Sequence, residues 1–405
     1  MVVEGSELIL VVNCGSSSIK LALFDAAEDK EILSALGEAL ASSEARLTVK
    51  GHLSANRQLP GGDHSAVLRA FMDLLTEHDF QRSRIAVVGH RVVHGGEHFS
   101  DSALIDDKVR SQIEACESLA PLHNPANLMG IRQVAELLPE RPQVAVFDTA
   151  FHQTLPEKAY RYAVPARLYT ESALRRYGFH GTSHRFVAAK AAAWLDRDLS
   201  ATNLISAHLG NGCSVCAISA GQSVDTSMGL TPLEGVPMGT RSGSVDPGLM
   251  LHLLRRMDMS PQALDQMLNR ESGLLGLSGL SNDMRTLTGA ADEGNEDARL
   301  AIDVFCYQVA KTIASYWAVV KGPHALIFTG GIGEHARGIR AQIVAELGAF
   351  GLDFDEAANA QAIPEDVGVL CINRSSGTRV LAIRTNEELM IAQDARRLLE
   401  TARGG

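Results

Sequence analysis

Two segments far apart in this chain are built alike. Residues 8–24, LILVVNCGSSSIKLALF, join two apolar runs through a turn of small residues, Gly15 with Ser16, Ser17 and Ser18, and then reach Lys20. Residues 203–219, NLISAHLGNGCSVCAIS, do the same through Gly210, Asn211 and Gly212. Each reads as a β-hairpin, and the pair reads as a duplicated chain. Glycine lacks a Cβ and serine carries a short hydroxyl, so backbone N–H groups in such turns can approach an anion closely, phosphate being the natural one. Either turn alone can serve only to reverse the chain. Two in matching contexts shift the balance toward anion binding.

The chain has 405 residues, 45% of them hydrophobic, enough for two domains with separate cores. Its net charge of −11 argues against nucleic-acid and anionic-membrane partners, which need dense basic patches. Local arginines must then attract any anionic substrate. The start, MVVEGSE, has no basic leader, and no apolar run approaches the length of a membrane span, so a cytoplasmic location is expected. Six cysteines are too sparse for a secreted disulfide scaffold, and the one CxxC, Cys213 with Cys216, falls within a strand-like run. These two are expected in the core rather than on a metal or in a redox pair.

Apolar strand-like runs alternate with helical stretches, as in RIAVVGHRVVH, an amphipathic region through residues 106–119, and PQVAVFDTAFH. That is α/β order. Residues 185–196 and 296–321 carry apolar residues at helical spacing and read as scaffold helices. The second hairpin places a second domain after a boundary between residues 150 and 200. A first domain over 1–150, rejoined by a last helix within 386–405, and a second over 151–385 are the expected division.

Ligands of α/β folds gather at the carboxyl ends of strands, and several polar residues follow apolar runs here. In VVGHRVVHGGEH, strand alternation sets Arg91 and Val93 on one face, a cation beside a small apolar wall, with His90 and His94 on the other. Gly95 and Gly96 would break the helix that a His90, His94 and His98 zinc set requires. Asp148 ends the run VAVFD; it can be a general base, an orienting group, a metal neighbour or a helix N-cap. His180 in YGFHGTSH can donate to a developing negative charge, or be a satisfied structural histidine. Arg241 in MGTRSG sits on a glycine-flanked loop suited to clamping phosphoryl or carboxylate oxygens, the alternative being a solvated loop arginine.

ALIFTGGIGEHA runs from strand to glycine-rich turn to helix, and Gly331, Gly333 and Ala336 formally satisfy a dinucleotide fingerprint. The turn lies late in the chain, and backbone-amide binding of a nucleotide is the favoured reading. No G-x-x-x-x-G-K-[ST] loop and no protein-kinase signature occurs, so a phosphotransferase here needs another architecture.

The series VVNCGSSSIK, GHRVVHGGE, APLHNP, VFDTAFH, YGFHGTSH, HLGNG, TPLEGVPMGTRSG, SNDMR, GGIGE and RTNEE, in that order over nearly the whole length, resembles the acetokinase family of the actin, hexokinase and Hsp70-like ATPase superfamily. The resemblance implies an α/β, duplicated RNase H-like fold with two domains flanking an active-site cleft, and a homodimer. It implies reversible transfer of the ATP γ-phosphoryl group to acetate, giving acetyl phosphate and ADP, with Mg²⁺ as cofactor and Mn²⁺ as an alternative. By position it assigns Asn13 and Glu387 to the metal and Lys20 to ATP. The nucleotide also falls to His208, Leu209, Gly210, Asn211 and Gly212, to Asp283, Met284 and Arg285, and to Gly331, Ile332, Gly333, Glu334 and His335. Arg91 and Arg241 bind the acid and the transferring phosphoryl group, Asp148 and His180 complete the catalytic set, and Val93, Leu122, Phe179 and Pro232 form the pocket for the acetate methyl. His335 departs from the asparagine common after Gly-Ile-Gly-Glu in the family. A carboxylate is already ionised at neutral pH and needs no general base, so the task is to bring an anion to a polyanion by positioning and charge neutralisation. Propionate kinase differs by little more than pocket size. A non-kinase ATPase of the same superfamily is the more distant alternative, and the paired arginines beside an apolar wall argue against it.

Overall fold

The computed structural model describes residues 6–121, 123–374 and 376–404. Leu122, assigned above to the methyl pocket, lies outside the described residues. The chain divides into two compact units, one formed by residues 1–151 with 386–405 and the other by 152–385.

The first unit is built on strands β1 (Leu8–Cys14), β2 (Ile19–Asp25), β3 (Lys30–Glu38), β4 (Arg46–Gly51), β5 (Ala55–Gln58), β6 (Ile85–Val92), β7 (Ala103–Leu104) and β8 (Gln143–Phe147), in the sheet order β5-β4-β3-β2-β1-β6-β8-β7. The first hairpin is β1 with β2, antiparallel, Asn13 opposite Lys20. On its other edge β1 pairs parallel with β6, which pairs parallel with β8.

Alternate residues of β1 enter different cores. Leu8, Leu10 and Val12 pack with Phe71 and Leu75 of the helix His64–Glu77, while Ile9 and Val11 pack with Ile391, Ala395 and Leu399 of the helix Glu387–Gly404. Both faces are covered, which is why β1 reads as a continuous apolar run. Each such side chain contributes about 1.5–3 kcal/mol when fully buried. The last helix comes so near β6 that a Cβ on Gly89 would lie 2.7 Å from Ile391 Cγ2.

The second unit repeats the plan with β9 (Asn203–Leu209), β10 (Cys213–Ser219), β11 (Gln222–Thr226), β12 (Ala325–Thr329), β13 (Val369–Cys371) and β14 (Arg379–Ile383), in the order β11-β10-β9-β12-β14-β13. β9 and β10 form the second hairpin, and β9 pairs parallel with β12, which pairs parallel with β14. The central orders β3-β2-β1-β6-β8 and β11-β10-β9-β12-β14 are the same meander followed by two parallel strands. Cys213 and Cys216 face the core with no exposed surface, and burial pushes the Cys213 thiol up to about 12.

The expected scaffold helices occur as Gly181–Trp194, Glu296–Val320 and Glu387–Gly404. The amphipathic stretch 106–119 is helical only over Asp107–Ala115, after which turns carry the chain to Leu119. The glycine-rich segment after β12 is a helix rather than a turn, Gly330–His335, starting directly at the strand end. Gly330 makes the reversal at φ 75°, and its N–H donates to Glu334 Oε1 at 3.0 Å.

Burial depresses the basicity of several histidines, His90 and His152 to about 4 and His184 well below the ordinary value. A group whose folded pKa is lowered leaves the unfolded chain holding more protons between that value and about 6.5, so stability falls as pH falls through this window. Stability to urea should fall between pH 7 and 5, and His90→Gln should flatten the slope there by up to about 1.4 kcal/mol per pH unit, the limit for one proton. An unaltered slope in that variant would show that His90 is not held neutral.

Candidate active site

In the first unit the polar residues stand at the carboxyl ends of β1, β6 and β8, which register brings side by side. Asp148 follows β8 and donates its backbone N–H to Val92 O at 3.0 Å, which fixes the carboxylate beside Arg91. Arg91 then donates from Nε to Oδ1 at 3.0 Å and from Nη2 to Oδ2 at 2.6 Å. Asp148 is therefore the bidentate anchor of Arg91 and caps no helix; it is 1% exposed, whereas the Arg91 side chain keeps 23%. Burial opposes the charge on Arg91, but the fields of Asp148 and Glu387 outweigh it and hold the guanidinium firmly protonated.

Asn13 Oδ1 accepts from Arg91 Nη1 at 3.4 Å, and Glu387 at the start of the last helix lies 4.0 Å from Arg91 Nε. Burial and the nearby charges of Asp148 and Glu388, against the counteracting pull of Arg91 and Lys20, push the Glu387 carboxyl up to about 7. Asn13 and Glu387, both assigned to the metal, are thus gathered around one arginine. Lys20 lies exposed on β2.

Val93 is 6% exposed. Its N–H donates to Asn127 Oδ1 at 3.0 Å, and Asn127 Nδ2 donates to Cys14 O at 2.8 Å, so one side chain ties the end of β6 to the first hairpin turn. Asn124 holds His94 on both sides, accepting from its N–H at 3.1 Å and donating to its carbonyl at 3.0 Å. Sequence reasoning gave neither asparagine a role; the segment HNPAN, overlapping the motif APLHNP, was the signal available.

In the second unit three remote segments line one cavity of about 530 Å³: Gly210 and Asn211, Asn282 through Arg285, and Gly331, Ile332, His335 and Ala336. Most of the residues expected at the nucleotide are here; Leu209 is fully buried instead, and Glu334 turns its carboxylate to the N–H groups of Gly330 and Thr385, at 3.0 and 3.1 Å. Asp283 caps its helix and takes three hydrogen bonds from Arg285, one from the backbone and two from the guanidinium, so those two side chains satisfy each other. Asn282, not anticipated, donates to Asn211 Oδ1 at 3.1 Å and links two of the segments.

The same turn also meets His180 and Arg241. A Cβ on Gly212 would stand 3.4 Å from His180 Cε1 and Nε2 and 3.5 Å from Arg241 Nη1. Arg241 donates to Pro232 O at 3.4 Å and has no carboxylate partner among the described residues, and burial lowers its pKa. Its charge is left for an outside anion. His180 precedes the helix Gly181–Trp194 in the left-handed region, φ 57° and ψ 22°, an unusual conformation that directs its ring toward the turn. Its ring stacks on that of His208 at 4.3 Å, and His208 Nδ1 is hydrogen-bonded to Ser183 Oγ, itself bonded to Thr385. Phe179 is buried at 2% exposure and its carbonyl is bonded to His152 Nε2.

The sequence profile of the Acetokinase family matches residues 8–393. The chain belongs to the acetokinase family. Among its acetokinase relatives, the acetate kinase of Chromobacterium violaceum is 50% identical over 391 residues, 96% of this chain and 98% of that protein. The acetate kinase of Pseudomonas aeruginosa strain LESB58 is 51% identical over 396 residues, 98% of this chain and all of that protein. Among solved structures, a propionate kinase from Francisella tularensis superposes with a TM-score of 0.92 at 43% identity, covering 96% of this chain and 99% of that one. Porphyromonas gingivalis acetate kinase gives 0.91 at 38% identity, with coverage of 97% and 100%. The two mixed sheets are accordingly the duplicated RNase H-like fold of this acetokinase family.

Asn127→Ala would strand the buried N–H of Val93 and weaken the hold on Cys14 O, each such loss costing about 1–3 kcal/mol. Unfolding free energy by urea should drop by about 2–4 kcal/mol; a change within about 0.5 kcal/mol, the usual surface value, would show that water replaces the amide.

Proposed function

We propose that this chain catalyses the reversible transfer of the ATP γ-phosphoryl group to acetate, giving acetyl phosphate and ADP, by direct in-line displacement. It is a phosphotransferase with a carboxyl acceptor, EC 2.7.2.1. The observation that carries the reading is the double use of one turn: Gly210 and Asn211 line the 530 Å³ cavity, while Gly212 meets His180 and Arg241. A nucleotide seated there has cationic and N–H donors at the end where phosphate charge must be neutralised.

The acid's carboxylate is held by Arg91, whose guanidinium Asp148 fixes in place, and its methyl lies against Val93. Asp148 orients and abstracts no proton, since both its oxygens already accept from Arg91. Arg241 and His180 hold equatorial oxygens of the transferring group. The donors near Arg91 suit Mg²⁺: the Asn13 amide oxygen and the Glu387 carboxylate are hard oxygen ligands, and burial, with the charges of Asp148 and Glu388, makes the Glu387 carboxylate one that a cation would stabilise. When bound, the ion would neutralise phosphate charge. A homodimer and a cytoplasmic location belong to the same reading and are supported by family membership; among the described residues no helix is long and apolar enough to cross a membrane.

Acetate is favoured over propionate because relatives at 50% and 51% identity are acetate kinases, while the propionate kinase structure stands at 43%. The deciding assay follows ADP release from MgATP with acetate, propionate and butyrate, trapping acyl phosphate with hydroxylamine. Acetate should give the highest specificity constant; ADP release without any acid would sink the kinase reading. Arg241→Ala should lower kcat by roughly a hundredfold or more, as for other donors to transition-state charge, and near-normal turnover would remove it from the mechanism. Val93→Ala should move the acetate-to-propionate ratio of kcat/KM toward propionate by about tenfold, one methylene's worth, and an unmoved ratio would take Val93 out of the pocket.

A further inference from the structure

Behind His180 lies a chain of buried polar groups that the proposed reaction does not use. His180 Nδ1 is 2.9 Å from Ser214 Oγ, Ser214 Oγ is 2.8 Å from His184 Nε2, and His184 Nδ1 is 2.6 Å from Ser206 Oγ. Ser206, His184 and Ser214 are all fully buried. With both imidazoles neutral and Ser214 donating to one ring while accepting from the other, the row can run in either of two directions; were Ser214 to accept from both rings, its own buried proton would have no acceptor among the described residues. In one, His180 Nδ1–H donates to Ser214, Ser214 to His184 Nε2, and His184 Nδ1–H to Ser206; the Ser206 hydroxyl proton then has no acceptor among the described residues. In the other, Ser206 donates to His184 Nδ1, His184 Nε2–H to Ser214, and Ser214 to His180 Nδ1, and the proton left over is His180 Nε2–H, at the half-buried end of the row that faces Gly212. A buried hydroxyl left without an acceptor costs about 1–3 kcal/mol, so the second direction prevails.

We propose that Ser206, His184 and Ser214 form a polarised hydrogen-bond chain that holds His180 as a neutral imidazole carrying its proton on Nε2, the nitrogen that faces Gly212. Ser214 and His184 are then positioning residues, acting only through His180. The surroundings agree with a neutral row. The rings of His152 and His208 stand 5.8 and 6.3 Å from that of His184, His208 stacks on His180, and Arg241 approaches the same Gly212, so each of these neighbours disfavours a further positive charge. Burial, with His152 and His208, holds the His184 basicity well below its ordinary value. His180 thus meets a phosphoryl oxygen as an N–H donor whose tautomer is set in advance, and no proton is transferred.

The proposal rests on the kinase reading for the use of His180, but its central claim is read without activity. Protein labelled with ¹⁵N-histidine, near neutral pH, gives ring-nitrogen correlation spectra in which His180 is identified by the signals lost in His180→Gln. Native His180 should show an unprotonated Nδ1 and a protonated Nε2; a protonated Nδ1 would overturn the proposal. Ser214→Ala should mix the His180 tautomers and lower kcat by about ten- to a hundredfold, the range for partners that orient a functional group, with KM for MgATP little changed. Ser214→Thr, which keeps the hydroxyl, should restore most of it. A native tautomer and native kcat in Ser214→Ala would equally overturn the proposal. Ser206→Ala, one ring farther from the site, reads the same signals should Ser214→Ala not fold. Absence of acid-dependent ADP release in the native protein would end the kinase reading and leave the tautomer result standing by itself.

Discussion

The central strand of each sheet is hydrogen-bonded antiparallel on one edge and parallel on the other, and the placing of the candidate residues at strand ends depends on this mixed pairing. An antiparallel neighbour joined by a tight turn puts that turn at the carboxyl end of the central strand, while parallel neighbours bring their own carboxyl ends to the same side. In the first unit β1, β6 and β8 therefore deliver the Gly15–Ser18 turn, Arg91 with Val93, and Asp148 to one end of one sheet. In the second unit β9, β12 and β14 deliver the Gly210–Gly212 turn, the helix Gly330–His335 and Thr385 likewise. No loop has to travel to reach these positions.

A protein with a net charge of −11 must hold its useful cations against its own field, and the two arginines do so differently. Arg91 is clamped by a buried carboxylate on two of its nitrogens, which fixes the fork in space and offsets part of its charge. Such a group suits an anion that must be oriented. Arg241 has a carbonyl and a thioether as its side-chain hydrogen-bond acceptors and no carboxylate partner among the described residues, so its charge stays unbalanced until an anion arrives. That suits a phosphoryl group passing through a highly charged transition state.

His180 combines a strained backbone with a satisfied ring. Its left-handed φ of 57° is costly for a side chain with a Cβ, of the order of 1–3 kcal/mol, and persists because the Ser214 bond and the His208 stack hold the imidazole from behind. A donor fixed before the substrate arrives loses little by reorganisation at the moment of reaction.

The amino-acid sequence by itself determined the duplication, the α/β class, the two glycine turns and the candidate residues at strand ends, because hydrophobic period, turn chemistry and motif order are local properties written in consecutive residues. It could also name Asp148, as base, orienting group, metal neighbour or cap, and the ready ionisation of a carboxylate acceptor favoured the orienting role; only the register of β6 against β8 decided that both its oxygens face Arg91. The Glu334 carboxylate reaches back to Gly330 and on to Thr385, the second a contact across 51 residues that no window of sequence contains. Asn127 tying Val93 to Cys14, Asn282 linking to Asn211, and the Ser206–His184–Ser214 row behind His180 are likewise products of the tertiary fold. Each joins polar groups distant along the chain and buried together, where an unpaired donor is costly, and only packing decides which donor meets which acceptor.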